Sequence, residues 1–474
     1  MVFRKAVAGL SVALLGAYLY DQVPVLATMY NNVPSRLTPV DNLGTSSIRQ
    51  IKFADRPSFR SCEDALLVES LGVAIVACDP GRDRWNTVMG VNVPEDKSEG
   101  EGRGPVPGAS LYIYDYKTFP NGGDDDDDKV LRTVGIIGFP VSSPGERDLH
   151  TLGMAFDEPS STLLVTNHAM EGGSRIEVFE LDGLDSSSSS PPLLLPKATH
   201  IRTIKHPLLH APNSIAIVEG TGGAEFFVTN DHAIPSVRSK LLSVIETYVA
   251  APTGTVVYVR VGDGDGDGEV KAHVVARLPF ANGIVIFNAT TIAVSSSSKA
   301  AVYLYEVQPA FGAEGTSASA DTVPYTLTYA SRIRTTFAPD NLSVAHSSSS
   351  SSSSSSGKTE AEKLLIAGHA HAPTLSRYVA TRHVCHNEDP AVREKADPEM
   401  QAYCERTETG IVSNGGSGGE AAPSWVSEWS EEHGLKTLYV GMEYPSSATA
   451  AWDAGRGVGI IAGLSARGLF VWKE

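Results

Sequence analysis

Six stretches of the chain repeat one pattern, in which an apolar alternating strand is followed by a turn, a second strand and often a third. Most of these units begin with a carboxylate or an amide. Their first polar residues are Glu63, His150, Asn213, Asn282, Asp340 and Ser446. A repeat unit of this kind cannot bury its own apolar face, so it has to stack on its neighbours. Six such units predict an all-β fold, namely a six-bladed β-propeller with a few accessory helices.

The alternative fold is a β-sandwich or a two-domain all-β arrangement, but neither would place a polar residue at the start of each unit. The units are spaced by roughly sixty residues, which is long for a four-stranded propeller blade. Low-complexity insertions account for the excess, and we expect them to be loops within the units. They occupy residues 124–128, 186–190, 262–268 and 347–356. Residues 23–474 are therefore predicted to form a single propeller domain.

The composition excludes one class of partner. Hydrophobic residues make up 42% of the chain, which is enough for a large core. The formal net charge is −17, whereas binding to a nucleic-acid backbone requires clustered Lys and Arg. We therefore expect no nucleic-acid partner.

The N-terminal segment has the pattern of a targeting sequence. Arg4 and Lys5 precede an apolar run from Ala6 to Tyr20. A run of this length fits the core of a signal peptide better than a complete membrane span. Residues 1–22 are therefore predicted to be a signal peptide or, because no clear cleavage site follows, a retained N-terminal anchor. A buried N-terminal helix is the alternative. The prediction implies the secretory pathway, with a secreted or membrane-anchored product.

A secretory route permits disulfides and N-linked glycans. The chain has four cysteines, which allow three pairings. Cys385–Cys404 is the favoured local bridge because it would close a polar insertion, and Cys62–Cys78 is its complement. Asn288 lies in an Asn-Ala-Thr sequence and is the predicted glycosylation site.

The clearest helix in the sequence runs from Lys240 to Ala250, where apolar residues recur at near-helical spacing. This helix is predicted to cap one face of the propeller. If the apolar N-terminal segment is retained beside it, we expect association with a membrane or with lipid.

Polar residues at the starts of several units can form one metal site, because equivalent positions in a closed repeat fold lie on one rim around a common axis. The candidate ligands are Glu63, Asn213, Asn282, Asp340 and Asn341. Calcium takes about six to eight oxygen ligands, and this set offers only oxygen. Zinc is disfavoured because no close Cys/His spacing is present. A single Asn or Asp before a strand is more often a turn residue, so the recurrence favours the site.

From Glu63 to its end, the chain resembles the serum paraoxonase/arylesterase family. The matching segments occur in the family's order and read SCEDALLV, IRTIKHPLLHAPNSIAIV, EFFVTNDH, PFANGI, PDNLSV and GIIAGLSARGL. Members of this family are six-bladed propellers that hydrolyse lactones and aryl esters. The resemblance thus implies a small-molecule lactone or aryl ester as the substrate.

The resemblance also implies two calcium ions in the central tunnel, one catalytic and one structural. By motif, the catalytic ion would be held by Glu63, Asn213, Asn282, Asp340 and Asn341. The structural ion would use Asp64 and backbone carbonyl groups near Leu152. Asp231, His232 and His369 match segments of the family that line its pocket, and we expect them there.

Two positions depart from the family's pattern. Where the family has a second structural carboxylate, this chain has Ser214, so the structural calcium site is expected to be weakened or differently built. Where the family has a His-Gly step, this chain reads His150-Thr-Leu-Gly, so either His150 serves from a shifted loop or the base is missing and Leu152 stands in its place. His168, in the matching segment VTNH, is the candidate supporting histidine. The catalytic candidates are therefore His150, His168 and Asp340.

These features predict a calcium-dependent arylesterase or lactonase, in which the metal polarises the ester carbonyl and a histidine or Asp340 activates water. The sequence contains no G-x-S-x-G nucleophile elbow. The alternative is a non-catalytic propeller that keeps the tunnel calcium as a binding or scaffold protein. A third, weaker interpretation is a different reaction on a related propeller, such as a strictosidine-synthase-like condensation, because one fold hosts many chemistries.

Overall fold

The structure is a computed structural model of the chain. It describes residues 2–44, 47–93, 105–120, 130–141, 145–185, 195–262, 269–309, 311, 324–345, 362–387, 389–408 and 421–474, with side chains from residue 16 onward. The predicted insertions at 124–128, 186–190 and 347–356, and all of 262–268 except Gly262, lie outside the described residues.

Six antiparallel sheets form the blades of a propeller, which confirms the predicted fold class. The innermost strand of each blade contacts the innermost strand of the next, and the last blade contacts the first, so the ring is closed. Strands whose two faces are covered by the neighbouring blades are apolar on both faces. Val73–Cys78, for example, is buried at all of its positions.

The blades are named here in chain order, with the strand nearest the axis given first. Blade 1 consists of Asp64–Val68, Val73–Cys78, Ser110–Asp115 and Leu131–Thr133. Blade 2 consists of Thr151–Asp157, Thr162–Asn167, Arg175–Asp182 and Lys197–Ile204, and its outer edge pairs in parallel with Gly135–Ile137. Blade 3 consists of Pro212–Ile217, Glu225–Asn230, Gly254–Val261 and Val270–Leu278.

The remaining blades complete the ring. Blade 4 consists of Ala281–Asn288, Thr291–Ser296, Ala301–Gln308 and Thr326–Arg334. Blade 5 consists of Ala338–Ala345, Lys363–His369, Ser424–Ser430, Gly434–Gly441 and the short strand Val40–Asp41. Blade 6 consists of Ser447–Asp453, Val458–Gly463, Leu469–Lys473 and Ile48–Lys52. Because Ile48–Lys52 pairs with Leu469–Lys473, strands from the two ends of the sequence share one sheet.

Short elements lie in the segments between strands, most of them within one blade. The described residues include 3-10 helices at Pro34–Arg36, Pro80–Asp83, Tyr116–Thr118 and Ser297–Lys299. A small hairpin pairs Trp85–Asn86 with Val91–Asn92.

The N-terminal helix α1 (Val2–Asn31) lies against blade 4. Asp21 forms ion pairs with Lys299 at 3.0 Å, Arg332 at 2.8 Å and Arg334 at 3.0 Å. The adjacent Gln22 is buried and donates to the Ser298 carbonyl oxygen at 3.4 Å. The predicted boundary after residue 22 therefore falls inside one docked helix. Within the described part of the chain, no helix has both the length and the apolar character needed to cross a membrane.

Helix α2 (Lys240–Val249) matches the predicted helix to within one residue. The Ser239 side chain accepts from the Leu242 N–H at its start, and Ala250 adopts the left-handed conformation at its end. Glu246 accepts hydrogen bonds from the backbone N–H groups of Ala233 at 2.7 Å and Ile234 at 3.1 Å. These bonds fix the helix over the axis end of blade 3.

A helical insertion in blade 5 separates its second and third strands. It contains α3 (Ala372–Cys385), α4 (Pro390–Glu394) and α5 (Pro398–Glu408). The Cys385–Cys404 disulfide joins α3 to α5, and the Cys62–Cys78 disulfide joins the start of blade 1 to its second strand. Both predicted disulfides are confirmed.

A buried ionic cluster attaches this insertion to blade 1. Asp83 accepts a hydrogen bond from Arg60 Nε at 3.0 Å, and its Oδ2 atom lies 3.2 Å from His386 Nδ1. Although burial alone raises it, the pKa of Asp83 is lowered to about 2 by His386 and Arg60. The carboxylate therefore stays ionised and holds the end of α3.

We predict that His386 makes the protein sensitive to acid. Burial lowers the pKa of His386 from 6.5 to about 4, although Asp83 opposes this shift. As the pH falls below 6.5, the unfolded chain binds a proton that the folded chain does not bind until about pH 4, so stability is lost through this window. Between pH 7 and pH 5 the free energy of unfolding should fall by roughly 2 kcal/mol less in the H386N variant than in the wild type.

Urea unfolding at both pH values measures this difference. The exposed His433 gives the control variant H433N, which should lose as much stability as the wild type. Equal losses in wild type and H386N would contradict the prediction.

Candidate active site

The predicted metal ligands lie at the starts of the innermost strands, where the register of pairing is irregular. In blades 2, 3, 4 and 5 the shift falls between Thr151 and Met154, Pro212 and Ile215, Ala281 and Ile284, and Pro339 and Leu342. A bulge leaves residues unpaired and redirects their side chains. Asn213, Asn282 and Asp340 occupy these irregular positions.

Glycines let neighbouring blades approach closely at this level. A Cβ atom on Gly283 would lie 2.6 Å from the Cα atom of Asn341 and 2.6 Å from the carbonyl oxygen of Asp340. A Cβ atom on Gly153 would lie 2.5 Å from the carbonyl oxygen of Asn213. Only glycine fits at such distances, so these two positions bring polar residues from adjacent blades together.

Four of the five predicted ligands of the catalytic ion line one cavity. The cavity has a volume of about 1000 Å³ including its open mouth, and Glu63, Asn213, Asn282 and Asp340 form its polar wall together with His369. Apolar side chains complete the lining, among them Met29, Val88, Leu152, Phe280 and Leu375. The fifth predicted ligand, Asn341, lines a second cavity together with Asp64 and Ser214.

Three asparagines present buried carbonyl oxygens without hydrogen-bond partners. Asn213 Nδ2 donates to Asp231 Oδ2 (3.3 Å), Asn282 Nδ2 donates to Ser297 Oγ (3.0 Å), and Asn341 Nδ2 donates to Thr449 Oγ1 (3.1 Å). Each Oδ1 atom is buried and has no partner. A buried acceptor without a partner costs free energy, so three of them in one region indicate that a cation fits there.

The donor chemistry favours a hard cation. Amide and carboxylate oxygens suit calcium or magnesium better than zinc. Among the described residues, no group of three or more His, Cys, Asp and Glu side chains is arranged to hold a metal ion. A metal at this position would therefore depend on the asparagines together with Glu63 and Asp340.

Buried acidic residues lie close to one another at the cavity wall. Burial raises the pKa of Glu63, and the neighbouring Asp340 and Asp64 add to this rise, whereas the Arg82 guanidinium opposes it. Glu63 and Asp340 are both nearly inaccessible to solvent. This electrostatic environment favours the uptake of a cation.

Asp64, the predicted ligand of the structural ion, accepts hydrogen bonds from protein donors. Asp64 Oδ2 accepts from the Met154 N–H at 2.8 Å, and Oδ1 accepts from the Ala65 N–H at 2.9 Å. Thr449 Oγ1 also lies 3.0 Å from Asp64 Oδ1. Each carboxylate oxygen therefore has at least one protein donor, and Ser214 supplies no additional charge, so the second calcium ion stays a prediction.

Asp340 and His369 form a pair within the cavity. Asp340 Oδ2 lies 2.9 Å from His369 Nε2, whereas His369 Nδ1 has no hydrogen-bond partner. A carboxylate can only accept, so Nε2 carries the proton and the Nδ1 lone pair remains free. This arrangement suits acceptance of a proton from water.

The other two histidine candidates lie outside the residues that line the cavity, and their catalytic role stays a prediction. His168 Nε2 donates to the Pro212 carbonyl oxygen at 2.6 Å, so Nδ1 accepts from Thr87 Oγ1 and has no free lone pair. Burial lowers the pKa of His168, which keeps it neutral. His150 Nδ1 lies 3.3 Å from Asp79 Oδ2.

Asp231 and His232 connect the cavity to helix α2. His232 Nδ1 lies 2.8 Å from Asp231 Oδ1, and His232 Nε2 lies 2.7 Å from Thr247 Oγ1. Although burial lowers it, the pKa of His232 is raised overall by Asp231. Because Asp231 also accepts from Asn213, it orients this amide from outside the cavity.

Two residues of the site were missed by the sequence analysis. Arg82 donates to Glu63 Oε2, and the Thr449 hydroxyl lies 2.8 Å from the Glu63 carbonyl oxygen. The one available signal for Arg82 was its position shortly after Cys78, whose disulfide partner immediately precedes Glu63. Thr449 carries no such signal because its proximity depends on closure of the ring.

The arylesterase family model matches residues 128–349, which confirms the predicted resemblance over that part of the chain. The match supports a hydrolase that acts on a small-molecule ester or lactone. A comparison with curated proteins found no match.

Several solved structures are similar to the chain at low identity. They include a proposed gluconolactonase that is 10% identical, with 91% of this chain and 94% of that chain covered and a TM-score of 0.39. The β-propeller domain of Myceliophteria thermophila Cps50 (Swd1) is 9% identical, with 90% and 100% covered and a TM-score of 0.36. A proposed 6-phosphogluconolactonase from Bacteroides fragilis is 8% identical, with 77% and 85% covered and a TM-score of 0.35. These TM-scores are all below 0.5, so the similarities carry no argument about function.

We predict that the contact at Gly283 is essential for the packing of blades 4 and 5. In the G283A variant the added methyl group would meet backbone atoms of Asp340 and Asn341, which cannot move independently of their strand. The free energy of unfolding should fall by roughly 1–3 kcal/mol, as in other overpacked interiors. At Gly135 the nearest atom to an added Cβ is 3.8 Å away, so G135A is the control. Denaturant unfolding of both variants is the measurement, and equal stability would contradict the prediction.

Proposed function

Because the chain matches the arylesterase family over residues 128–349, we propose that it is a calcium-dependent hydrolase of lactones and aryl esters. The single observation that carries this proposal is the set of three buried asparagine oxygens without partners, beside the carboxylates of Glu63 and Asp340. Asn213, Asn282, Glu63 and Asp340 line a cavity large enough for a small ester, and Asn341 directly follows Asp340 in the chain.

The proposed calcium ligands are Glu63, Asn213, Asn282, Asp340 and Asn341. Calcium bound by them would act as a Lewis acid that polarises the ester carbonyl and stabilises the negative charge developing on its oxygen. We propose one ion per chain, because the oxygens of Asp64 are already occupied by protein donors.

Asp340 and His369 are the proposed base. His369 Nδ1 takes a proton from water in the cavity, and Asp340 holds the opposite ring nitrogen and stabilises the resulting positive charge. In this proposal His168 links Thr87 to Pro212, because both of its ring nitrogens have partners, and His150 pairs with Asp79.

The apolar walls orient the rest of the substrate. Leu152 and Phe280 lie among the apolar lining residues, and helix α2 contributes Val244 and Tyr248. Such walls exclude water from the reacting bond and favour a substrate with an apolar acyl chain or ring. A non-catalytic binding propeller is the alternative, and the pairing of His369 with Asp340 among the residues that line the cavity favours the hydrolase.

We also propose that the cavity mouth faces a lipid surface, after passage of the protein through the secretory pathway. Exposed side chains of α1 and α2, two helices that also contribute to the cavity lining, form a surface that we call the apolar collar. Its members are Leu19, Tyr20, Val23, Tyr30, Leu241, Leu242, Val244, Ile245 and Val249. Tyr18 of α1 donates to the Val249 carbonyl oxygen at 2.8 Å, so the two helices form one surface. Asn288, the proposed glycan acceptor, ends the inner strand of blade 4.

We expect hydrolysis of lactones and phenyl acetate to stop on exhaustive calcium chelation and to return when calcium is added. Elemental analysis should find one calcium per chain. Removal of one ligand in N282A should lower kcat/KM by about hundredfold or more, because charge stabilisation is lost at the reacting carbonyl. Asn288 on the same strand gives the control N288A, which should keep wild-type kcat/KM.

Two results would contradict the proposal in different ways. Activity that survives chelation would reject the role of calcium. Bound calcium without turnover of any lactone or aryl ester would favour the non-catalytic alternative.

We expect the apolar collar to bind phospholipid vesicles. In the L241D/I245D variant two charges replace exposed apolar residues of α2, so flotation with phosphatidylcholine vesicles should fall at least tenfold. The exposed Ile201 on the outer strand of blade 2 gives the control I201D, which should bind as the wild type does. If all three proteins float equally, the collar is not the lipid contact.

A further inference from the structure

Arg82 brings a positive charge into contact with a proposed calcium ligand. Its Nη1 group donates to Glu63 Oε2, and its Nη2 group donates to the carbonyl oxygen of Thr151. The side chain is 2% exposed, and its Nε group has no hydrogen-bond partner. Arginine does not lose its proton in proteins, so burial leaves the charge in place. The guanidinium therefore needs the Glu63 carboxylate beside it.

The two residues are fixed relative to each other by the chain itself. Glu63 directly follows Cys62, and the disulfide to Cys78 joins this segment to the strand that leads into the Pro80–Asp83 turn. Arg60 Nε donates to Asp83 Oδ2 at 3.0 Å, which ties the two segments together a second time. The pair is thus held by its own scaffold and does not depend on α1 or α2.

We propose that Arg82 is a resident counter-ion, which holds the Glu63 carboxylate when calcium is absent and weakens calcium binding when it is present. This inference rests on the proposed function. Calcium and the guanidinium would share one carboxylate, and two cations close together in a buried site repel each other with little screening by salt. The same contact spares Glu63 from being an uncompensated buried charge in the calcium-free protein.

A different role for Arg82 would give the opposite change in calcium affinity when Arg82 is removed. If Arg82 merely oriented Glu63 for the metal, its removal would loosen a ligand and weaken calcium binding. A counter-ion that competes with calcium should, on removal, tighten binding and destabilise only the calcium-free protein. Affinity and melting temperature together distinguish these roles without any activity measurement.

The experiment uses the full chain, depleted of calcium by chelation, and titrates calcium by isothermal titration calorimetry. R82Q removes the charge and keeps a polar side chain, and we expect its Kd for calcium to be about tenfold or more lower than that of the wild type. Its melting temperature should fall in the calcium-free state and recover when calcium is bound. R82K keeps the positive charge on a shorter side chain, so its Kd for calcium should lie between those of the wild type and R82Q. Arg382 is a fully buried arginine of the helical insertion, so R382Q is the control, with an unchanged Kd.

Each outcome is informative. An unchanged or higher Kd in R82Q overturns the inference while leaving the proposed function intact. If neither the wild type nor R82Q binds calcium, the inference and the proposed function both fail. Binding by R82Q alone supports the inference. Should R82Q not fold, R82K decides the question, and a Kd equal to or higher than the wild-type value overturns the inference.

Discussion

The burial of oxygen-bearing side chains at the propeller axis is the constraint to which the rest of the structure responds. Glu63, Asn213, Asn282 and Asp340 are all nearly inaccessible to solvent. A buried charge or unpaired amide costs several kcal/mol unless a partner compensates it, about as much as a small domain has in net stability. Arg82 and His369 compensate part of this cost. The strand irregularities and the close contact at Gly283 bring the remaining oxygens together, so that one cation can compensate them at once.

The blades hold the polar groups of the site, whereas other elements form the cavity mouth. The ring of innermost strands fixes the polar groups, and its geometry is set by inter-blade packing. The mouth is formed by elements outside the ring, namely α1, α2 and the helical insertion, which contribute Met29, Tyr248 and Leu375 to the cavity wall. Loops and additions of this kind vary without disturbing a scaffold, so in the proposed hydrolase the ring would carry the chemistry and the added helices would select the substrate.

Much of the ring could be predicted because its signals are local. Innermost strands begin at Asp64, Thr151, Pro212, Ala281, Ala338 and Ser447, within two residues of the predicted unit starts. Both disulfides and α2 followed from spacing. Contacts between distant segments could not be read from a pattern. The apolar run ends at Tyr20, yet α1 continues to Asn31 because Asp21 and Gln22 dock on blade 4. The roles of Arg82 and Thr449 likewise depend on which segments meet at the axis.

The pairing of Ile48–Lys52 with Leu469–Lys473 has a consequence for biosynthesis. Glu63 emerges from the ribosome long before Thr449, whose hydroxyl meets the Glu63 backbone, and the ring-closing strand Leu469–Lys473 emerges later still. During translation the nascent protein is an open arc with two unmatched blade surfaces, a state that exposes apolar area and free strand edges to misassembly. The proposed calcium site is consequently completed only when the segments around Glu63 and Thr449, far apart in the sequence, have met.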